Sequence, residues 1–219
     1  MERQRYAASA RSRKHTGAWR SVTFARMPPF LVVMALPLES QGAFERTGVS
    51  VLYTGVGKVN AAHALTRRLT EYRCSGLPLP HVINFGTAGS QRRSTGALIE
   101  CTAFIQRDMD VTGLGVPLGT TPFEDMPPRL AVAPIFAHLE HGVCGSGDSF
   151  VTAACPHECD VLDMEAYALA KVCRLEGCAF NAVKFVTDGA DHAAANDWQS
   201  NLEQAAALFV ALYARLTSR

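Results

Sequence analysis

The sequence lacks several features that would place a protein in a class at once. No apolar run approaches the roughly 18 residues that a membrane-spanning helix needs, and charged residues make up only 19% of the chain. The glycine-containing turn TGVGKVNAA (residues 54–62) has neither the third glycine of a Rossmann fingerprint nor the Gly-Lys-Ser/Thr ending of a P-loop. These absences exclude a membrane span and the two commonest nucleotide-binding motifs. Two interpretations of residues 54–62 stay open: an ordinary tight turn and a ligand-binding turn.

The chain has seven cysteines, an odd number, so they cannot all be paired with one another. Five of them fall in or beside apolar runs, where a free cysteine behaves as a small core residue: Cys74, Cys101, Cys144, Cys173 and Cys178. We therefore expect a reducing, cytoplasmic compartment. The cluster Cys155-Pro-His157-Glu-Cys159 matches no common zinc spacing, so an ordinary loop and no metal site are predicted there.

Charge is distributed unevenly along the chain. Of its 21 basic and 20 acidic residues, seven basic ones and Glu2 lie in residues 1–26, which leaves 14 basic and 19 acidic residues from Met27 onward. An acidic body gives no support for nucleic-acid binding. Residues 1–26 are predicted to be a basic, disordered tail, with a targeting peptide or sequence upstream of a start at Met27 as alternatives. Residues 27–219 are predicted to form one domain.

Apolar runs of strand length alternate in part with helical patterns. Strands are predicted at residues 30–36, 49–55, 81–86, 97–105 and 178–188, and helices at 61–72, 164–175 and 197–216. The strands are continuously apolar, which indicates burial on both faces. The predicted fold is therefore α/β, with a central mixed, mostly parallel sheet between two layers of helices.

Polar residues stand at the ends of several of these runs. VMALPLES (33–40) places Glu39 after the first strand, VINFGTAGS (82–90) presents Thr87 after Gly86, and VTDGAD (186–191) places Asp188 at the end of the last strand. Ligands of open α/β sheets bind outside the carboxyl ends of strands. Each acid could equally be a helix-terminal charge, so these residues taken singly leave both readings open.

Two further motifs complete the pattern. VCGSGDSF (143–150) has a bare, glycine-rich backbone before Phe150, and DMEAYALAKV (163–172) sets Met164 and Glu165 at the start of a helix. In this order the motifs resemble the purine nucleoside phosphorylase and uridine phosphorylase family, specifically its methylthioadenosine/adenosylhomocysteine nucleosidase branch. The resemblance runs from about Phe30 to Leu216.

The resemblance implies a role for each matching residue. Asp188 matches the general acid that protonates purine N7, and Glu39 matches the carboxylate that activates water. Glu165 matches the residue that binds the ribose 2′- and 3′-hydroxyls. Around them the resemblance places Met164 against the sugar, Thr87 near the water, Phe150 stacked on the purine and the Val151 backbone at the base edge. It implies a purine nucleoside as the bound partner, a homodimer, and no metal or organic cofactor.

Hydrolysis and phosphorolysis both occur on this scaffold. Family phosphorylases carry arginines where this chain has Asn84-Phe85 and Pro37-Leu38, which favours the hydrolase, although Arg92 and Arg93 keep a phosphate-dependent phosphorylase as the alternative. The short segment between Glu39 and Gly55 and the proline-rich residues 113–141 depart from the branch. They leave the 5′ substituent open, including adenosyl substrates of the hopanoid pathway. A non-catalytic nucleoside-binding protein is the second alternative.

Overall fold

The computed structural model describes residues 29–149, 151, 158–189 and 201–218. The strands in these ranges are β1 (Phe30–Met34), β2 (Val51–Tyr53), β3 (His81–Gly89), β4 (Leu98–Gln106), β5 (Arg129–Ala131), β6 (Glu140–Ser146), β7 (Val161–Asp163) and β8 (Phe180–Asp188). The helices are α1 (Pro37–Ser40), α2 (Lys58–Cys74), α3 (Ala166–Glu176) and α4 (Leu202–Thr217). Single 3₁₀ turns occur at Glu45–Thr47 and Thr112–Leu114.

The strands form one mixed sheet with β3 at its centre. β3 pairs in parallel with β1 and β8, and β1 pairs in parallel with β2. β8 also pairs with β4 in the antiparallel sense, and β4 carries β5 and β6. β6 pairs with β7, whose Leu162 lies opposite Gly89 of β3. This last pairing brings the carboxyl end of β7 to the carboxyl end of β3.

Alternate side chains of the central strands enter two separate cores. Leu31 and Val33 of β1 pack on one face with α2 and α3, whereas Val32 and Met34 pack on the other face with α4. Both faces of the sheet are therefore covered by helices, which is why the strands read as continuous apolar runs. The predicted three-layer α/β/α architecture is confirmed.

The elements differ from the predictions mainly at their ends. α2 is longer than predicted, β2 is shorter, and α4 begins at Leu202 within the described residues, whereas residues 197–200 lie outside them. β5, β6 and β7 were not predicted. Cys101, Cys144 and Cys173 are buried as expected, but Cys74 is exposed, so its assignment to the core was wrong. Cys74 is the last residue of α2, and its side chain lies on the solvent side of the helix end.

Local chemistry fixes where α3 begins and ends. A carboxylate oxygen of Asp163 accepts the backbone N–H of Ala166 at 2.9 Å, which satisfies one of the unpaired donors at the helix start. Gly177 ends the helix in the left-handed conformation with φ +73°, which costs a glycine little. The start of α3 is thereby held beside the carboxyl end of β7. In the described part of the chain, no helix combines the length and the apolar character that crossing a bilayer requires.

Candidate active site

A cavity of about 240 Å³ opens at the carboxyl ends of β1, β3, β7 and β8. Its lining combines main-chain turns with four carboxylates and one arginine: Ala35, Leu36, Glu39, Val56, Thr87, Ala88, Gly89, Arg107, Ser149, Val151, Leu162, Asp163, Met164, Glu165, Thr187 and Asp188. β1, β3 and β8 are parallel, so their carboxyl ends meet at one edge of the sheet, and the antiparallel β7 meets β3 at Gly89. Residues distant in sequence therefore converge here. The predicted site residues Glu39, Thr87, Val151, Met164, Glu165 and Asp188 all line this one cavity. Phe150 lies outside the described residues.

Glu39 is held by four protein donors. One carboxylate oxygen accepts the N–H groups of Ala35 and Leu36, each at 3.1 Å. The other accepts the N–H and the hydroxyl of Thr87, at 2.8 and 2.9 Å. Glu39 is 4% exposed, so these bonds replace its hydration. It therefore stabilises the first turn of α1 and also faces the cavity, and its role toward a ligand stays a prediction.

The four donors around Glu39 differ in their freedom to rotate. Three of them are main-chain N–H groups fixed by the backbone, whereas the Thr87 hydroxyl can rotate about its own bond. A carboxylate offers about four lone-pair positions. Rotation of the Thr87 hydroxyl would therefore free a position on Glu39 for a water molecule.

Glu165 lies at the start of α3 and is anchored from the opposite side of the cavity. Its carboxylate accepts the N–H of Gly57 at 2.8 Å, a contact between residues 108 positions apart. Burial raises the pKa of Glu165 to about 7, and the negative charge of Asp163 acts in the same direction. The ammonium of Lys184 and the Gly57 N–H oppose this increase only in part.

An ion pair between Lys184 and Asp163 lies directly behind these acids, and the sequence motifs did not reveal it. The Lys184 Nζ is 2.8 Å from an Asp163 carboxylate oxygen, and both side chains are 2% exposed. Burial acts to lower the pKa of Lys184 and to raise that of Asp163, but the pairing prevails and shifts both in the opposite directions. The second Asp163 oxygen accepts the hydroxyl of Ser146. Both groups are therefore charged in the folded protein.

Gly86 leaves the room that this lysine needs. A Cβ at position 86 would lie 3.0 Å from the Lys184 Nζ and 3.4 Å from a Glu39 carboxylate oxygen. The ammonium thus lies between Asp163 and the edge of the cavity that Glu39 occupies. A lysine between the apolar residues of FNAVKFVTD (180–188) was the available sequence signal for this residue.

Asp188 ends β8 and is 3% exposed. Its carboxylate accepts the hydroxyl of the neighbouring Thr187 at 2.8 Å. Its main-chain carbonyl accepts the N–H of Ser90 at 3.0 Å, which ties the end of β8 to the segment that follows β3. These bonds hold the carboxylate of Asp188 at the wall that it shares with Thr87 and Glu39.

The arginines considered for phosphate binding lie elsewhere. Arg93 pairs with Glu140 at 2.8 Å and with Asp160 at 2.7 Å, and neither it nor the exposed Arg92 lines the cavity. Among the described lining residues only Arg107 is cationic, and its guanidinium donates to the Gly147 carbonyl at 3.0 Å and to Ser149. Among the described lining residues, four acids therefore stand against one arginine.

The raised pKa of Glu165 predicts how stability depends on pH. Between about pH 4.5 and pH 7 the unfolded chain loses the Glu165 proton while the folded protein keeps it, so unfolding becomes easier as pH rises. Glu165→Gln has no such charge. We expect the free energy of unfolding of this variant, relative to the unmodified protein, to increase by about 2 kcal/mol from pH 5 to pH 8. Urea unfolding of both proteins at the two pH values measures it, and a difference that does not change with pH would contradict the assignment.

Comparisons with known proteins show the family of this chain. The family model described as the phosphorylase superfamily matches residues 40–218. A 5′-methylthioadenosine/S-adenosylhomocysteine nucleosidase of Marinomonas sp. (strain MWYL1) is 32% identical over 189 residues, which cover 75% of this chain and 78% of the relative.

Solved structures show the same fold. One from Francisella philomiragia, described as a nucleosidase of the same kind, has a TM-score of 0.77 at 20% identity and covers 88% of this chain and 100% of its own. A Helicobacter pylori nucleosidase, an aspartate-to-asparagine mutant with 5′-methylthioadenosine in its active site, has a TM-score of 0.72 at 20% identity. It covers 83% of this chain and 94% of its own.

Proposed function

The chain belongs to the phosphorylase superfamily, and we propose that it is a nucleosidase that hydrolyses the N-glycosidic bond of a 5′-substituted adenosine. The substrates proposed are of the methylthioadenosine or adenosylhomocysteine type, on which the relatives named above act. The observation that carries the proposal is that Glu39 and Asp188, from opposite ends of the sequence, line one buried, anionic cavity.

We assign protonation of the departing base to Asp188. Cleavage of the bond leaves positive charge on the ribosyl carbon and an electron pair on the purine, so protonation of the base at N7 assists its departure. Asp188 is the acid at the end of β8, with Thr187 donating to one of its oxygens at 2.8 Å. The other oxygen is proposed to carry the transferred proton.

We assign binding and activation of the attacking water to Glu39 and Thr87. A water bound where the Thr87 hydroxyl now donates would itself donate to Glu39, which is 2.9 Å from that hydroxyl. The water oxygen forms the new bond to the ribosyl carbon as the bond to the purine breaks, and Glu39 accepts the water proton. The products are free adenine and the 5′-substituted ribose.

We assign binding of the sugar to Glu165 and Met164. We assign binding of the edge of the base to the Val151 backbone. An ionised Glu165 can accept two hydroxyl hydrogen bonds, one from each ribose hydroxyl. The pKa of about 7 means that this carboxylate gains its charge as pH rises through neutrality. Met164 supplies an apolar contact beside it in the cavity wall.

Phosphate dependence decides between this proposal and a phosphorylase. Glu39 lines the cavity at the proposed place of the nucleophile, and its carboxylate would repel a phosphate dianion there. We expect purified protein to release adenine from methylthioadenosine at the same rate with and without phosphate, as measured by chromatography of the products. Adenine released only with phosphate would indicate a phosphorylase, and bound nucleoside without adenine release would indicate a binding protein.

The proposal extends to assembly and location. A homodimer is supported by exposed apolar side chains at Leu114 and Phe123, which are 77% and 106% exposed in the single chain. The molecular mass in solution tests this. A cytoplasmic location is supported by the free thiols of Cys101, Cys144 and Cys173 in the core.

A further inference from the structure

Lys58, the first residue of α2, connects three segments that are far apart in sequence. Its ammonium donates to Asp108 at 2.6 Å and to Asp148 at 2.8 Å. Its backbone N–H donates to the second oxygen of Asp148, also at 2.8 Å. The Lys58 side chain is only 13% exposed, although the two carboxylates are 31% and 45% exposed. The cation of this cluster is therefore better shielded from solvent than its partners.

The segment held in this way forms part of the cavity wall. Residues 147–149 directly follow β6, and Ser149 and Val151 line the cavity. The Asp148 N–H donates to the same Asp108 oxygen that Lys58 contacts, at 2.8 Å. One ammonium thus lies between two carboxylates that a hydrogen bond holds next to each other, and it offsets part of their repulsion. Without it, Asp108 and Asp148 would repel each other and the link would weaken.

The same turn of chain also holds the carboxylate on the sugar side. Gly57 donates its N–H to Glu165, and a Cβ at position 57 would lie 3.1 Å from an Asp148 carboxylate oxygen. Gly57 has φ +94°, a conformation that favours glycine. Gly57 and Lys58 are consecutive, so one turn fixes the Glu165 carboxylate and the 147–149 segment relative to each other.

We propose that Lys58 is a positioning residue that sets nucleoside affinity by holding residues 147–149 against the cavity. This inference rests on the proposed nucleosidase function. Lys58 does not line the cavity, and it acts through Asp108 and Asp148 on the wall beside the base. It leaves the proton transfers at Asp188 and Glu39 unchanged.

The experiment compares Lys58→Met with a matched control, Lys171→Met. Lys171 also pairs with a carboxylate, Glu124, at 2.7 Å and is 22% exposed, but it lies outside the cavity. We expect Lys58→Met to raise KM for methylthioadenosine about tenfold, as loss of charge-assisted hydrogen bonds does, with kcat within about twofold of the unmodified enzyme. Lys58→Arg, which can still bridge two carboxylates, is expected to restore KM, and the Lys171→Met control to leave it unchanged.

Amide hydrogen exchange of residues 147–149 provides a readout that does not depend on catalysis. Exchange at these amides should be faster in Lys58→Met and unchanged in Lys171→Met. Unchanged exchange, an unchanged KM, or an equal rise of KM in the control would overturn the inference, as would a fall in kcat that matches the rise in KM. If the unmodified protein cleaves no nucleoside, the proposed function fails, and the exchange measurement still decides whether Lys58 holds the segment.

Discussion

Asp188→Asn lowers kcat by about a thousandfold and leaves nucleoside affinity within a few-fold of the unmodified enzyme: this is the first result that the structure leads us to expect. Asparagine keeps the shape of the side chain, and its amide oxygen can still accept the Thr187 hydroxyl, now bonded at 2.8 Å. It can donate a hydrogen bond to a purine nitrogen. It cannot transfer a proton at neutral pH, so the base must leave as an unprotonated anion.

The measurement is adenine release under saturating methylthioadenosine, together with nucleoside binding by calorimetry. Asp125→Asn is the control, because Asp125 is exposed and lies outside the cavity. Normal turnover by Asp188→Asn would end the general-acid assignment. Loss of both binding and turnover would instead mean that Asp188 shapes the cavity rather than protonates the base.

Glu39→Gln is expected to lower kcat by a similar factor and also to destabilise the protein. The amide cannot accept a proton from water, which removes the general base. Its NH₂ group must also face either the N–H groups of Ala35 and Leu36 or the two donors of Thr87. A buried donor that faces donors costs about 1–3 kcal/mol, so the free energy of unfolding should fall by about that amount.

Adenine release and urea unfolding measure the two effects separately. Glu203→Gln on the exposed side of α4 is the control for loss of a glutamate charge, and it should change neither quantity. Full stability with lost turnover would show that the four donors around Glu39 tolerate an amide. Full turnover would show that another group activates the water.

The acids at the ends of predicted strands could be located from sequence because strand ends are a property of local pattern. Glu39 follows β1 and Asp188 ends β8, and both strands are long apolar runs whose carboxyl ends meet when they are parallel. Glu165 was located differently, at the start of the predicted helix 164–175. The roles of these residues came from the family resemblance and stay predictions.

The charges around those acids could not be found in this way. Lys184 stands out as a lysine in a mainly apolar strand, but nothing local identifies its partner Asp163, which reads as a turn residue. Only the pairing of β8 with β3, and of β7 with β3, brings them together. β7 was missed because it has three residues, and β6 beside it because it contains two glycines, which gives too short or too weak a pattern. Lys58 was missed because its two carboxylate partners lie 50 and 90 residues away in the sequence.

The pairing of β8 with β3 has a consequence for how the protein reaches its folded state. The two strands join residues nearly a hundred positions apart, as in the contact between Thr187 and Ala88, where the separation is 99. Glu165 and Gly57 are separated by 108. A chain dominated by such distant contacts loses conformational entropy in closing large loops before the stabilising contacts form. It therefore folds slowly for its size. The cavity lining comes from distant parts of the sequence, from Ala35 to Asp188, so neither half of the polypeptide contains all of it.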